Sequence, residues 1–289
     1  PASTTRLTGL RPSEGDFDGG EEVTISGDGL AAATQVKFGG GVAIILDRAA
    51  RALVVEAPPG RPGGVEVTVQ VGERVLRASR RFHYRGPRVD GNVGEWPGGA
   101  WDPTRQEARS LEGEEGLVRM AAVSDGRTLT VALIGSVDQH SAIVGYVDLD
   151  PGAGTGVTRM QDIDPSGDPL AQALSNPLTA QGGFGAELAF GTVGMWSSPE
   201  AADPRAGWRD VSDPADVRWV GGALHALVAV STVEASIPLP RGLAGGSVAV
   251  VIRIVSVDGR RLAPFTLPPD DDAQPGRWTR SYLVPVPDP

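Results

Sequence analysis

Val65-Glu66-Val67-Thr68-Val69-Gln70-Val71 decides the fold of the first third of this chain. Valine recurs at every second position with a polar residue between, the period of a strand with one buried and one wet face. Gly72-Glu73-Arg74 follows as a hairpin turn into Val75-Leu76. Toward the N-terminus, Glu22-Val23-Thr24-Ile25-Ser26 repeats the alternation. Gly19-Gly20, Gly27-Asp28-Gly29, Gly39-Gly40 and Ala57-Pro58-Pro59-Gly60 stand between the runs as turns. Leu30-Ala-Ala-Ala-Thr34 offers a helical turn at most. About six or seven short strands with no helical period predict a β-sandwich.

Taken in order, Leu7-Thr8-Gly9-Leu10-Arg11-Pro12, Val23–Leu30, Val36-Lys37-Phe38-Gly39-Gly40, the Pro58-Pro59-Gly60 turn, the Val65–Val71 strand and the closing Phe82-His83-Tyr84 resemble an IPT/TIG domain. That resemblance implies an immunoglobulin-like sandwich over residues 1–86 that serves as a spacer or docking module and seldom carries chemistry. Gly86-Pro87 closes the last strand and marks the boundary, because proline denies αR geometry to the residue before it.

The 289 residues leave room for a second domain, 87–289. Val248 to Val255 is apolar on nearly both faces and belongs in the middle of a sandwich. Three motifs stand out: Asp90-Gly91 with Glu95-Trp96, then Tyr146-Val147-Asp148-Leu149-Asp150 leading into Gly152, Gly154 and Gly156, then Glu234-Ala235-Ser236-Ile237-Pro238-Leu239. Together, over residues 88–286, they resemble DOMON-like β-sandwiches, among them family 9 carbohydrate-binding modules and the C-terminal module of glucodextranase-type enzymes. Residues 157–217, rich in Pro, Gly, Asp and Ser, are expected to form a loop-rich insertion on one edge. The fold class expected is all-β, two tandem β-sandwiches.

Composition narrows the function. There is no cysteine, which removes disulfides, thiolate metal sites and thiol nucleophiles together. No apolar run approaches the roughly 18 residues of a transmembrane helix. The chain opens at Pro1 with neither Met nor an apolar leader, which fits a mature secreted protein or a trimmed one. The net charge of −10 is uneven: residues 1–85 hold 11 basic and 10 acidic side chains, the remainder 15 and 26. The acidity belongs to the second domain and serves either solubility or cation binding. Nucleic acid is not an expected partner, because its phosphates require clustered Lys and Arg.

Candidate sites follow from residue chemistry. Asp148 and Asp150 alternate along a strand end, which puts both carboxylates on one face beside a glycine-rich turn; hard oxygen donors of this type suit Ca²⁺. Asp162, Asp164 and Asp168 open like a calcium loop, but Ala173 stands where an EF-hand needs its acidic twelfth residue. The competing expectation for all five is turn capping. Some glucodextranase-type modules hold structural calcium, so the resemblance favours it here. Of the six tryptophans, Trp96 is expected to pack, whereas Trp196 and Trp208, flanked by polar residues within 157–217, are expected to meet a ligand. The competing role for both is an apolar anchor for a long loop. Some DOMON-like domains bind haem b; nothing in the spacing of His140, His225, Met120, Met160 and Met195 selects a ligand pair, and haem is not expected. There is no Gly-x-Ser-x-Gly elbow, P-loop or His-x-x-x-His pair, so no enzyme is expected.

These readings converge on a non-catalytic bacterial protein, secreted, periplasmic or at the cell surface, that binds extracellular glycan or matrix and holds structural calcium. The alternatives are a structural subunit of an extracellular or envelope assembly, with other surface proteins as partners, and a haem-bearing electron-transfer module.

Overall fold

The structure, a computed structural model, describes residues 6–96, 100–101, 116–135, 138–194, 204–227, 232–243, 245–268 and 276–288. It is all-β, and the chain divides into two compact units. The first comprises residues 1–87 with 124–127 and 287–289; the second comprises 88–123 and 128–286.

The first unit carries β1 (Arg6–Arg11), β2 (Glu14–Asp16), β3 (Glu22–Asp28), β4 (Ala33–Phe38), β5 (Gly41–Val42), β6 (Ile44–Arg48), β7 (Ala52–Glu56), β8 (Gly63–Val65), β9 (Val67–Val71), β10 (Arg74–Arg77) and β11 (Phe82–Arg85). They assemble as sheets β1-β3-β7-β6, β10-β9-β4-β5 and β2-β11-β8. The alternation at Val23, Ile25, Val67 and Val69 is realised in full, since all four side chains are buried in one core with Leu53, Val55, Phe38 and Phe82. Arg74 pairs with Val71 across the Gly72-Glu73 turn, as a hairpin there requires. The single expected strand Val65–Val71 is instead two. Val65 pairs with Phe82, Val67 begins a strand beside β4, and Glu66 is where the chain changes sheet. A sandwich corner of this kind keeps the period-two pattern while breaking the ladder. The hydroxyl of buried Tyr84 donates to the carbonyl of Pro58 (2.5 Å), tying the Pro-Pro-Gly turn to the last strand.

The second unit continues with β12 (Leu117–Ser124), β13 (Thr128–Gly135), β14 (Ser141–Asp148), α1 (Pro169–Leu174), β15 (Thr179–Ala180), β16 (Leu188–Val193), β17 (Ala206–Asp210), β18 (Arg218–Val220), β19 (Ala223–Leu227), β20 (Thr232–Pro238), β21 (Ser247–Ser256), β22 (Leu262–Leu267), β23 (Arg277–Trp278) and β24 (Tyr282–Pro285). A four-stranded sheet, β12-β13-β20-β19, faces a seven-stranded one ordered β18-β17-β16-β14-β21-β22 with β24 also on β21. Leu129, Val131, Leu133, Val233 and Ala235 of the first meet Ile143, Phe190, Trp208, Val250 and Ile252 of the second in the core between them.

β21 is buried along both faces, as its continuous apolar run predicts: Val248, Val250 and Ile252 point into that core, Ala249, Val251 and Val255 to the opposite side. What covers the opposite side is a correction to the sequence reading. Residues 157–217 are not a loop on one edge. They supply β16 and β17 to the large sheet, and Val157, Met160, Ile163, Leu170, Leu174 and Leu178 close over its outer face with Trp278. Their apolar residues lack a period because a covering layer buries irregular positions rather than one stripe.

The three motifs of the second unit meet two distinct needs. Glu234 on β20 has no solvent exposure, and its carboxylate accepts from the backbone N–H of Asp90 (3.1 Å) and Gly91 (2.6 Å) and from the indole N–H of Trp96 (2.6 Å). The opening motif is thus folded down onto the late one. Trp96 packs with Ala121, Ala132 and Trp101 on the outer face of the four-stranded sheet, in the packing role expected for it.

Candidate metal centre

The middle motif builds the other feature. β14 ends at Asp148, which is 1% exposed, and the chain then turns through Leu149-Asp150 into a glycine-rich loop. Asp148 Oδ1 accepts from the backbone N–H of Asp150 (2.9 Å) and Oδ2 from that of Gly185 (3.1 Å). Glu187, immediately before β16, accepts from the N–H of Leu149 through Oε2 (2.9 Å). One carboxylate oxygen from each of Asp148, Asp150 and Glu187 lies within 4.8 Å of the others. Asp148 and Asp150 are therefore brought together, by a turn rather than by strand alternation, because the strand stops at the first of them.

Two glycines make the approach feasible. A Cβ on Gly185 would lie 1.6 Å from the carbonyl oxygen of Thr155, and one on Gly156, at φ +72°, would lie 2.6 Å from Glu187 Oε1. Only hydrogen side chains let the loop close over the carboxylates.

The electrostatics are those of crowded anions. Burial raises the Asp148 carboxyl above its ordinary range, against the two backbone N–H groups, and the Asp150 charge adds to the rise. Burial also raises Glu187, with the Asp148 and Asp150 charges in the same direction. The hydroxyl of Thr155 sits 2.7 Å from both Asp150 Oδ1 and Glu187 Oε1. A hydroxyl has one proton to donate. It satisfies one carboxylate and leaves the other facing a lone pair. Three hard oxygen donors gathered this closely are the donor chemistry of a Ca²⁺ site. A cavity of about 50 Å³ lies beside Asp148, bounded by Gly152, Gly183, Phe184 and Trp278.

The second aspartate cluster is not brought together. Asp168 caps α1 by accepting from the N–H of Ala171 (2.8 Å), and its other oxygen accepts from Arg209 Nη2 (2.8 Å). Asp164 accepts from the N–H and hydroxyl of Ser166 at the surface, which holds its carboxyl below the ordinary range. Asp162 faces Arg159 at 3.7 Å, also at the surface. Turn and helix capping uses Asp164 and Asp168, the competing role expected for such residues, while Asp162 is ion-paired at the surface.

Trp208 corrects the ligand reading. It is 1% exposed, packs against Phe190 with ring centroids 4.6 Å apart, and donates its indole N–H to the carbonyl of Ala223 (3.2 Å). Polar neighbours in Gly207-Trp208-Arg209-Asp210 suggested a loop; the segment is β17, where alternation sends Trp208 into the core. Trp196 lies outside the described residues, as does Met195. Met120 and Met160 are buried in two different apolar clusters, apart from each other.

Comparison with known proteins matches residues 6–84 to the IPT/TIG domain family. No curated protein sequence matches the chain. Among solved structures, the full extracellular region of plexin A4 is similar at 26% identity and a TM-score of 0.26, covering 28% of this chain and 10% of that one. The γ-CGTase of Alkalophilic bacillus clarkii is similar at 11% identity and a TM-score of 0.29, over 98% of this chain and 26% of that one. The surface glycan-binding protein PbSGBP-B of Prevotella bryantii is similar at 14% identity and a TM-score of 0.25, over 91% and 77%. This chain therefore spans about a tenth of the plexin chain and about a quarter of the γ-CGTase.

Proposed function

We propose that this chain, whose residues 6–84 are an IPT/TIG domain, is a non-catalytic bacterial protein, secreted or at the cell surface, that binds glycan and holds a structural Ca²⁺ in its larger sandwich. The observation that carries the reading is the Asp148–Asp150–Glu187 triad. The Asp148 and Glu187 carboxylates are anchored by backbone N–H groups of the loops they join, an arrangement suited to fixing architecture. Asp148, Asp150 and Glu187 would hold the ion, which supplies positive charge to three crowded carboxylates. Among the described residues, no helix is long and apolar enough to cross a membrane.

The test is calorimetric. With Ca²⁺ about 100-fold above its dissociation constant, binding adds roughly 2.7 kcal/mol. That raises the melting transition of the second unit by roughly 5–10 °C relative to excess EGTA. The double substitution Asp150→Asn and Glu187→Gln removes the difference while keeping the fold. An unchanged midpoint for the wild-type protein in excess chelator counts against the calcium assignment.

A further inference from the structure

The two sheets of the first sandwich send Val23, Ile25, Leu53 and Val55 from one side and Val36, Phe38, Val67 and Val69 from the other into one core. The residues between these therefore lie on two outer faces, on opposite sides of the sandwich. On the β1-β3-β7-β6 face the register sets Glu22 beside Glu56 and Glu56 beside Ile44. The neighbouring row is Arg11, Thr24, Val54 and Asp47, with Arg11 at the far edge. On the β10-β9-β4-β5 face one row is Val42, Lys37, Thr68 and Arg77, and the next is Gln35, Gln70 and Val75.

These rows carry groups that the chain itself leaves unmatched. Glu22 and Glu56 are like charges directly opposite across an antiparallel pair, which destabilises a sheet. Among the described residues neither carboxylate has a cation partner, and Lys37, the only lysine of the sequence, has no carboxylate partner. Arg77 is matched, by Glu66. Ile44 and Val42, on the edge strands β6 and β5, are 60% and 54% exposed.

The rows are complementary in order as well as in sign. From the edge strand inward, one runs Ile44, Glu56, Glu22 and the other Val42, Lys37, Thr68, Arg77. Neighbouring strands of any sheet are spaced by about 4.8 Å. Two such faces laid together with Ile44 on Val42 therefore bring Glu56 onto Lys37 in the same step, and Glu22 between Lys37 and Arg77. Within one molecule the two rows stand on opposite sides of the core and cannot meet. We propose that the partner is a second copy of this chain, whose β10-β9-β4-β5 face docks on the β1-β3-β7-β6 face of the first. The contact joins unlike faces, so it is head-to-tail, and each molecule keeps a face with which to extend the row. A face of four short strands is at the small end of protein interfaces, so the association is weak and salt-sensitive. It goes beyond the glycan and calcium readings and depends on neither.

Sedimentation velocity of the full chain, from micromolar to near-millimolar concentration in low and in high salt, tests this. The expected result is a species larger than the monomer that forms with concentration in low salt and dissociates in high salt. Lys37→Glu and Glu56→Lys are each expected to weaken the association roughly tenfold or more, and the two together to restore it. Because the two side chains lie on opposite faces, no pairing within one molecule accounts for that restoration. The single lysine gives a chemical check: carbodiimide coupling in low salt should yield a covalent dimer whose linked peptides join Lys37 to Glu56 or Glu22. Retained melting temperatures show that the variants fold. A chain that stays monomeric under every condition leaves both faces to another partner and overturns the inference. Self-association that Lys37→Glu leaves unchanged, that the double reversal does not restore, or whose cross-links bypass Lys37 overturns it as well.

Discussion

Replacing Glu234 by Ala is expected to cost the second unit at least about 3 kcal/mol and to lower its melting transition by roughly 10 °C. The carboxylate is fully buried and is the acceptor for three donors, two backbone N–H groups and one indole N–H. Each buried donor left without an acceptor forfeits roughly 1–3 kcal/mol. The buried indole N–H of Trp96 cannot reach water without lifting the 90–96 segment off the sheet, whereas the two part-buried backbone N–H groups recover some of their loss from solvent. Glu234→Gln keeps one carbonyl oxygen but turns an NH₂ toward remaining donors, so it is expected to recover only part of the loss. Differential scanning calorimetry of both variants checks this; a shift of a degree or two for Glu234→Ala would mean that the opening motif does not depend on this carboxylate.

Gly185→Ala is expected to be nearly as damaging and to act at a different place. The new methyl would stand 1.6 Å from the carbonyl oxygen of Thr155, a backbone atom that no rotamer can move. Overpacking commonly costs about 1–3 kcal/mol, and a clash with main chain belongs at the upper end. Relief requires the 152–156 loop to move away from Gly185, which also breaks the N–H bond to Asp148 and pulls Thr155 off Asp150 and Glu187. The variant should therefore lose both stability and its response to Ca²⁺. Gly154→Ala is the control for loop position: a Cβ there meets nothing within 4 Å, although its φ of +75° brings modest strain. A Gly185→Ala protein with an intact calcium response would show that the loop and the triad are independent.

Local pattern carried the first unit, because every buried valine there lies on a strand with one wet face. The same reasoning missed the change of sheet at Glu66, since a corner between sheets keeps the alternation and alters only hydrogen bonding. It failed more broadly over 157–217. Leu188-Ala-Phe-Gly-Thr-Val193 sits between two apolar layers, so neither face is polar and no period appears. The triad was legible in part. Asp148 and Asp150 are near in sequence, whereas Glu187 arrives through the antiparallel pairing of Val147 with Leu188, which sets it opposite Asp148. Only that register brings the third carboxylate into place, and nothing around Glu187 in the sequence signals it. Trp208 was misplaced for a similar reason. Strand alternation decides which indole faces the core, and the strand itself was hidden among Gly, Pro and Asp.

The most direct test is a crystal of the full chain grown in millimolar Ca²⁺. The account predicts a density peak ligated by Asp148, Asp150 and Glu187 at roughly 2.3–2.6 Å, within a shell of about 6–8 oxygens. Thr155 should then no longer bridge two carboxylates. Clear density for the three side chains with no peak between them, and with the Thr155 hydroxyl still 2.7 Å from both Asp150 and Glu187, would contradict it.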